Sequence, residues 1–178
     1  MRCAAMHLSR RTSGLIRLGA LSAVIALGAL PAAATSPTPR MSAPLKFFEG
    51  KTEMLSTVKV VFKSPYRSVT TGDGKILGDG SLSLVQKVRD ENKPTESRLW
   101  RIKQVAAGRY AGTMTEAVGP VQAEEVGGKY RFRFKLKGNL SVEQWLTPLP
   151  GGRAAQSKIS VRKAGIKVAT SDGIIRRV

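Results

Sequence analysis

Lys129-Tyr130-Arg131-Phe132-Arg133-Phe134-Lys135-Leu136-Lys137 alternates cationic and apolar side chains without a break. Successive side chains of a β-strand point to opposite faces. The segment therefore predicts a strand with Lys129, Arg131, Arg133, Lys135 and Lys137 on one face and Tyr130, Phe132, Phe134 and Leu136 on the other. On a helix the same residues would scatter around the axis, so the period decides the element.

Working outward, the same pattern recurs more loosely. Val58, Val60 and Phe62 alternate with Lys59, Val61 and Lys63. Trp100 and Ile102 alternate with Leu99, Arg101 and Lys103, and Ile159 and Val161 with Lys158, Ser160 and Arg162. Turn signals fall between the runs: Gly72-Asp73-Gly74, Gly78-Asp79-Gly80, Asn92-Lys93-Pro94, Ala107-Gly108, Gly119-Pro120, Gly127-Gly128, Gly138-Asn139 and Pro150-Gly151-Gly152. Turns at such regular, short intervals mark an all-β sandwich or barrel. The expected strands lie near 49–63, 66–71, 75–78, 81–90, 95–105, 109–118, 121–126, 129–137, 140–147, 154–162 and 165–177. No sustained helical period follows Pro44, which leaves only Leu45 to Phe48 for a short helix. Consecutive hairpins with one apolar face predict a single antiparallel up-and-down, lipocalin-like barrel of about 8–10 strands, whose closure removes exposed strand edges. A cationic outer face argues against a porin-type barrel, whose outward band is apolar.

The N-terminal region reads as an address. Arg2, Arg10, Arg11 and Arg17 precede or open an apolar stretch, and no Asp or Glu occurs before Glu49. Leu18 to Leu30 is uncharged over 13 residues, short of the ~20 that a membrane span needs. Pro31 follows, then Ala32-Ala33-Ala34, a small-residue cleavage pattern. Residues 1–34 are thus expected to be a secretory signal cut after Ala34, which places the protein in the periplasm. Ser9-Arg10-Arg11 resembles a twin-arginine start, but Thr12-Ser13-Gly14 lacks the bulky apolar residue usual there. Cys3 lies before the apolar stretch, so nothing marks a lipid-attachment site. Residues 35–44, TSPTPRMSAP, form a Pro/Ser/Thr-rich leader of flexible or polyproline type. The folded domain is expected over 45–178, enough for one core.

Cys3 and His7 are the only Cys and His in the chain, and both precede the expected cut. The remaining domain has no thiol for a disulfide. It also lacks the imidazole that a Ser-His-Asp or Cys-His arrangement requires and the ligands that zinc sites use. No phosphate- or dinucleotide-binding glycine fingerprint is present. Glu124-Glu125 and Asp90-Glu91 are sequence neighbours, which in strands point opposite ways, a poor geometry for a cooperating acid and base. No catalytic residue, metal site or cofactor is therefore expected, and the protein is read as not an enzyme. Without the signal arginines the chain keeps 26 basic residues against 12 acidic ones. A surplus of this size speaks of partners and solubility. Outside the cytoplasm nucleic acid is not expected. The available polyanions are an anionic membrane surface and envelope polysaccharide, and a generically basic surface is the alternative. Lys129, Arg131, Arg133, Lys135 and Lys137 are the candidate anionic-surface contacts.

Trp100, Tyr110, Tyr130, Phe132, Phe134 and Trp145 fall on expected strands and are the candidate ligand-pocket or core residues. A barrel of about eight strands is either filled by its side chains or just holds one small ligand. Two functions follow. One is a binding protein with a small apolar or lipid-like ligand inside the barrel. The other is a solid-barrel structural or adaptor protein of the cell envelope that binds an acidic partner through its basic outer face.

Phe47-Phe48-Glu49-Gly50-Lys51-Thr52, Arg98-Leu99-Trp100-Arg101-Ile102, Gly108-Arg109-Tyr110-Ala111-Gly112, Val118-Gly119, Gln144-Trp145-Leu146 and Ser160 to Ala169 together resemble a bacterial family known as domain of unknown function 3833. The resemblance covers about residues 45–178 and implies a small lipocalin-like barrel of the cell envelope. The chain departs from the family pattern in lacking a lipid-attachment Cys, in having Gln144 where the family tends to have an acid, and in a less acidic Arg89-Asp90-Glu91-Asn92 segment. The family has no established activity to carry over.

Overall fold

A computed structural model describes residues 44–178. The expected signal segment and residues 35–43 of the leader lie outside the described residues. Pro44 opens a single helical turn, α1 (Pro44–Phe47). Ten strands follow: β1 (Gly50–Val60), β2 (Tyr66–Ile76), β3 (Leu82–Asp90), β4 (Glu96–Ala106), β5 (Arg109–Met114), β6 (Val121–Val126), β7 (Lys129–Leu136), β8 (Leu140–Pro148), β9 (Ala154–Lys163) and β10 (Ile166–Arg177). Each pairs antiparallel with its neighbours in sequence, and β1 also pairs with β10, from Thr52↔Arg177 to Val60↔Ala169. The result is a closed ten-stranded, antiparallel up-and-down barrel, as the alternation and turn spacing predict. Closure leaves no strand edge unpaired in the ring.

The alternation is kept within the strands, but the strand expected over 49–63 ends at Val60 and leaves Phe62 exposed in the turn beyond it. On β7, Tyr130 is buried and Phe132, Phe134 and Leu136 are half-buried, while Lys129, Arg133 and Lys135 are exposed. On β4, Trp100 and Ile102 are buried between exposed Leu99, Arg101 and Lys103. On β1 and β2 the inward positions are largely polar or small: Thr52, Ser56, Ser68 and Thr70 are buried there. The barrel interior thus has an apolar arc and a more polar arc.

The two ends of the barrel differ. At one end α1 packs Phe47 and Phe48 into the core with Leu82, Ile102, Tyr130, Leu146, Ala155 and Ile175. The two rings meet edge to face with centroids 5.1 Å apart. The Phe48 amide donates to the Leu45 carbonyl at 3.1 Å, which closes the turn. At the far end, ringed by the turns after β1, β3, β5, β7 and β9, inward residues such as Val60, Leu136, Leu140, Val161 and Ala169 are only half-buried. Here β6 has not yet begun, and the β5–β6 link runs beside β7 instead. The Val118 amide donates to the Lys135 carbonyl at 2.8 Å, and Ala117 bridges to Leu136.

One expected turn is not a turn. The sequence predicts separate strands at 66–71 and 75–78, divided by Gly72-Asp73-Gly74, but β2 runs straight through. Gly72 and Gly74 face inward. A Cβ at Gly74 would meet the Phe48 carbonyl oxygen, and one at Gly72 would crowd Thr52 Oγ1 and Leu84. These glycines serve close approach, the other reason a strand carries Gly. Gly78-Asp79-Gly80, by contrast, is a turn: the Leu77 amide donates to Ser81 at 2.8 Å and the Gly80 amide to Leu77 at 2.9 Å. Asp79 accepts from the Ser81 hydroxyl and amide, and those bonds hold its carboxyl below the ordinary range.

Candidate functional site

The barrel interior holds a partly open cavity of about 100 Å³ between α1 and the ring of side chains at its middle. Its floor is Pro44, Leu45 and Phe48 from α1 and the residue after it. Its walls are Leu82 and Leu84 from β3, Trp100 and Ile102 from β4, Tyr110 from β5, Tyr130, Phe132 and Phe134 from β7, Leu146 from β8 and Ile175 from β10. Strand parity explains the assembly. Leu84↔Trp100 and Leu82↔Ile102 are opposite pairs in the β3–β4 ladder and face the same way, as cross-strand partners do. Trp100 and Phe134, on strands separated by two others, meet across the interior edge to face with centroids 5.5 Å apart. Tyr110 and Tyr130 make a similar contact at 6.4 Å.

Of the six aromatic candidates from sequence, Trp100, Tyr110, Tyr130, Phe132 and Phe134 line this cavity. Trp145 does not. It is opposite Arg131 in the β7–β8 register and stands on the outer wall, where the Arg131 guanidinium lies 5.3 Å from its ring centroid. Its indole N–H donates to Glu143 at 3.0 Å. The inward residues of β8 are its neighbours Gln144 and Leu146, so the expectation of a pocket or core Trp145 is corrected by one position of strand phase.

Sequence reasoning missed the polar members of the site. Gln86, Arg98, Gln144, Thr52 and Thr70 also line the cavity. Gln86 Oε1 accepts from the Trp100 indole N–H at 2.7 Å, which fixes the ring's orientation. Gln144 donates to Ser157 at 3.0 Å. Arg98, opposite Gln86 in register, donates through Nε to Glu116 at 3.0 Å and through Nη2 to Glu96 at 3.4 Å. Gln86, Arg98, Gln144 and Thr52 each share the parity of an inward apolar residue two positions away, a signal that can be read only once that residue has been placed; Thr70, between Ser68 and Gly72, has none. Every buried side-chain polar atom among the described residues has a partner, so the interior is a settled environment rather than a set of open valences. At the α1 end, Glu125 is opposite Tyr130 in register. Burial, and secondarily the Glu125 charge, pushes the Tyr110 hydroxyl above its ordinary value.

The cationic face of β7 is less free than its sequence suggests. Glu124 Oε1 accepts from Arg131 Nε at 3.0 Å and from Arg133 Nη2 at 3.0 Å. The Arg131 hydrogen bond, helped by the charges of Arg131, Arg133 and Arg109, holds the Glu124 carboxyl below its ordinary value. Lys129, Lys135 and Lys137 have no carboxylate partner among the described residues.

A closed up-and-down barrel with an inward aromatic cluster defines the lipocalin-like class of fold. No family model and no curated protein matches the chain. Among solved structures the barrel is similar to the S-type phycobiliprotein lyase of Guillardia theta, with a TM-score of 0.60 and 8% identity over 75% of this chain and 90% of that one. It is also similar to a protein of unknown function from the domain-of-unknown-function family 3598 of Nostoc punctiforme, with a TM-score of 0.55 and 14% identity over 82% of this chain and 53% of that one. At these identities the likeness is one of fold.

Proposed function

We propose that the protein is an exported, non-enzymatic binding protein that holds a small apolar or amphipathic, lipid-like molecule inside its barrel. The observation that carries this reading is the cavity. A barrel whose interior were filled by Trp100, Phe132 and Phe134 would have none, whereas about 100 Å³ remains between these rings and α1. That space suits a ring-sized group or a short acyl segment. For scale, an apolar cavity of ~150 Å³ takes up benzene. Burial of the ligand's apolar surface supplies the affinity, at roughly 25 cal/mol per Å². Gln86, Arg98 and Gln144 sit among the apolar walls and would orient a polar end, the usual division of labour in small-molecule pockets.

The alternative, a solid barrel that meets an acidic partner through β7, has less support, because Glu124 already occupies Arg131 and Arg133. The non-enzymatic reading rests on residue types: His and Cys are absent after His7. Export rests on the Leu18 to Ala34 pattern. Membership of the domain of unknown function 3833 family belongs to the same proposal. What supports it is that Phe48, Arg98, Trp100, Ile102, Tyr110 and Leu146, all from the motifs that carry the resemblance, line one cavity.

Native mass spectrometry of the protein isolated without detergent tests the reading. The expected result is an added mass that leaves on unfolding and is lost or reduced in Trp100→Ala. A clean apo mass that small apolar probes such as short-chain fatty acids fail to shift would overturn it.

A further inference from the structure

The far rim of the barrel carries an unexplained aromatic. Phe62, at the tip of the β1–β2 turn, is fully exposed at 102% of its reference area. Its φ is +62°, a left-handed conformation that costs a bulky residue energy and that turns normally give to Gly or Asn. Folding gains nothing from this ring, since it packs on nothing. Val61 beside it is 47% exposed. The β9–β10 hairpin stands next to this turn, because β1 pairs with β10 and the Val61 amide donates to the Val168 carbonyl at 3.0 Å. At that hairpin's tip Ile166 is 71% exposed.

These apolar tips sit in a field of one sign. Residues 54–72 and 154–171 contain Lys59, Lys63, Arg67, Lys158, Arg162, Lys163 and Lys167 and no Asp or Glu. None of these seven has a carboxylate ion-pair partner among the described residues. Acids stand further from the tips: Asp172 is opposite Lys158 down the β9–β10 ladder, and on the next hairpin Glu91 accepts from the Arg67 amide at 3.2 Å and Asp90 pairs with Lys93. A protein partner of ordinary composition would meet this rim with mixed charge. A surface that is apolar within and anionic at its boundary meets both features at once, and an anionic bilayer is such a surface.

We infer that the β1–β2 and β9–β10 tips form a membrane-docking rim. Phe62, Val61 and Ile166 enter the interface of an anionic bilayer, and Lys59, Lys63, Lys163 and Lys167 lie among the head groups. The docking surface is thereby the far rim and not the outer wall of β7. It is independent of what the cavity holds, and vesicle binding is read separately from cavity occupancy.

The test uses the protein as isolated, with all variants on the same N-terminus. Sedimentation with phosphatidylglycerol–phosphatidylcholine vesicles should show binding that falls with salt and is weak on phosphatidylcholine alone. Phe62→Asp should lower vesicle affinity about tenfold or more, as expected for withdrawing one buried aromatic. Lys129→Glu, at the α1 end of the β7 wall, should change it less than threefold. A Phe62→Trp variant should gain a blue-shifted emission on vesicles that brominated lipid quenches. The proposal is overturned if Phe62→Asp binds like the parent, or if the added indole emission of the vesicle-bound Phe62→Trp variant is neither shifted nor quenched. It is equally overturned if the parent ignores anionic vesicles, whether it then binds a soluble sulfated polysaccharide, self-associates through Phe62 or does neither.

Discussion

Glu124 and Glu125 are adjacent in the chain and meet opposite surroundings. Glu124 faces out and accepts from Arg131 and Arg133, whereas Glu125 shares the inward face of Tyr130. Because the Glu124 carboxyl titrates below its ordinary value, the folded chain binds that proton less readily than the unfolded chain. The stability it contributes is therefore present above the ordinary Glu value of about 4.3 and is lost as pH falls through the lower folded value. Glu124→Gln should flatten the acid limb of a stability–pH profile measured by denaturant unfolding and leave the slope above pH ~6 unchanged. An unchanged acid limb would show that the cluster is screened away by solvent. The two tryptophans teach the same lesson about phase. Trp100 was legible as an inward residue because Ile102 shares its parity. Trp145 is flanked by Gln144 and Leu146, one polar and one apolar, and gives no local phase; only the β7–β8 register reveals that it faces out. Gln86, Arg98 and Gln144 were illegible for the converse reason, since a polar side chain at an inward position announces itself only after its neighbours have been placed.

At the scale of elements, the two Gly-Asp-Gly tripeptides separate what local sequence can carry from what it cannot. Their chemistry is identical, yet one lies inside β2 and the other makes the β2–β3 turn. The difference is tertiary: α1 lies against β2 at Gly74, so closely that a Cβ there would meet the Phe48 carbonyl oxygen. Gly74→Ala should therefore displace α1 and destabilise the domain by ~1–3 kcal/mol in urea unfolding. Gly78→Ala, with open space around the position, should stay within ~0.5 kcal/mol. Equal effects would mean that α1 is not seated as described. Apart from the division of β2 and the overrun of 109–118 past Met114, the strands were legible to within about three residues of their ends, because period-two patterning and turn residues are local properties. Which glycines end a strand and which admit a neighbour is decided by contacts far away in sequence.

For the whole molecule, closure makes the barrel one cooperative unit. Trp100 reports from the interior and Trp145 from the outer wall, on strands from different halves of the ring. Single-tryptophan variants, Trp100→Phe and Trp145→Phe, should each unfold in one transition that coincides with loss of the far-ultraviolet circular dichroism of the same variant. A fluorescence transition displaced from the backbone signal would show that the ring opens before it melts. The barrel class was readable from sequence, but the existence of a cavity was not. A residual 100 Å³ is the small difference between the enclosed volume and the side chains that fill it, and no pattern along the chain encodes such a difference.

Closure also sets a schedule. The strand made first, β1, finds its outer partner only in the strand made last, and the Arg177 side chain reaches the Glu49 carbonyl across 128 residues of chain. Throughout synthesis, every length short of β10 leaves β1 with one row of unpaired amides and carbonyls, flanked by exposed Leu55. The nascent chain thus carries an open strand edge until β10 is in place. A truncation that removes β10 acts as a permanently unfinished ring, ready to recruit an edge from another copy.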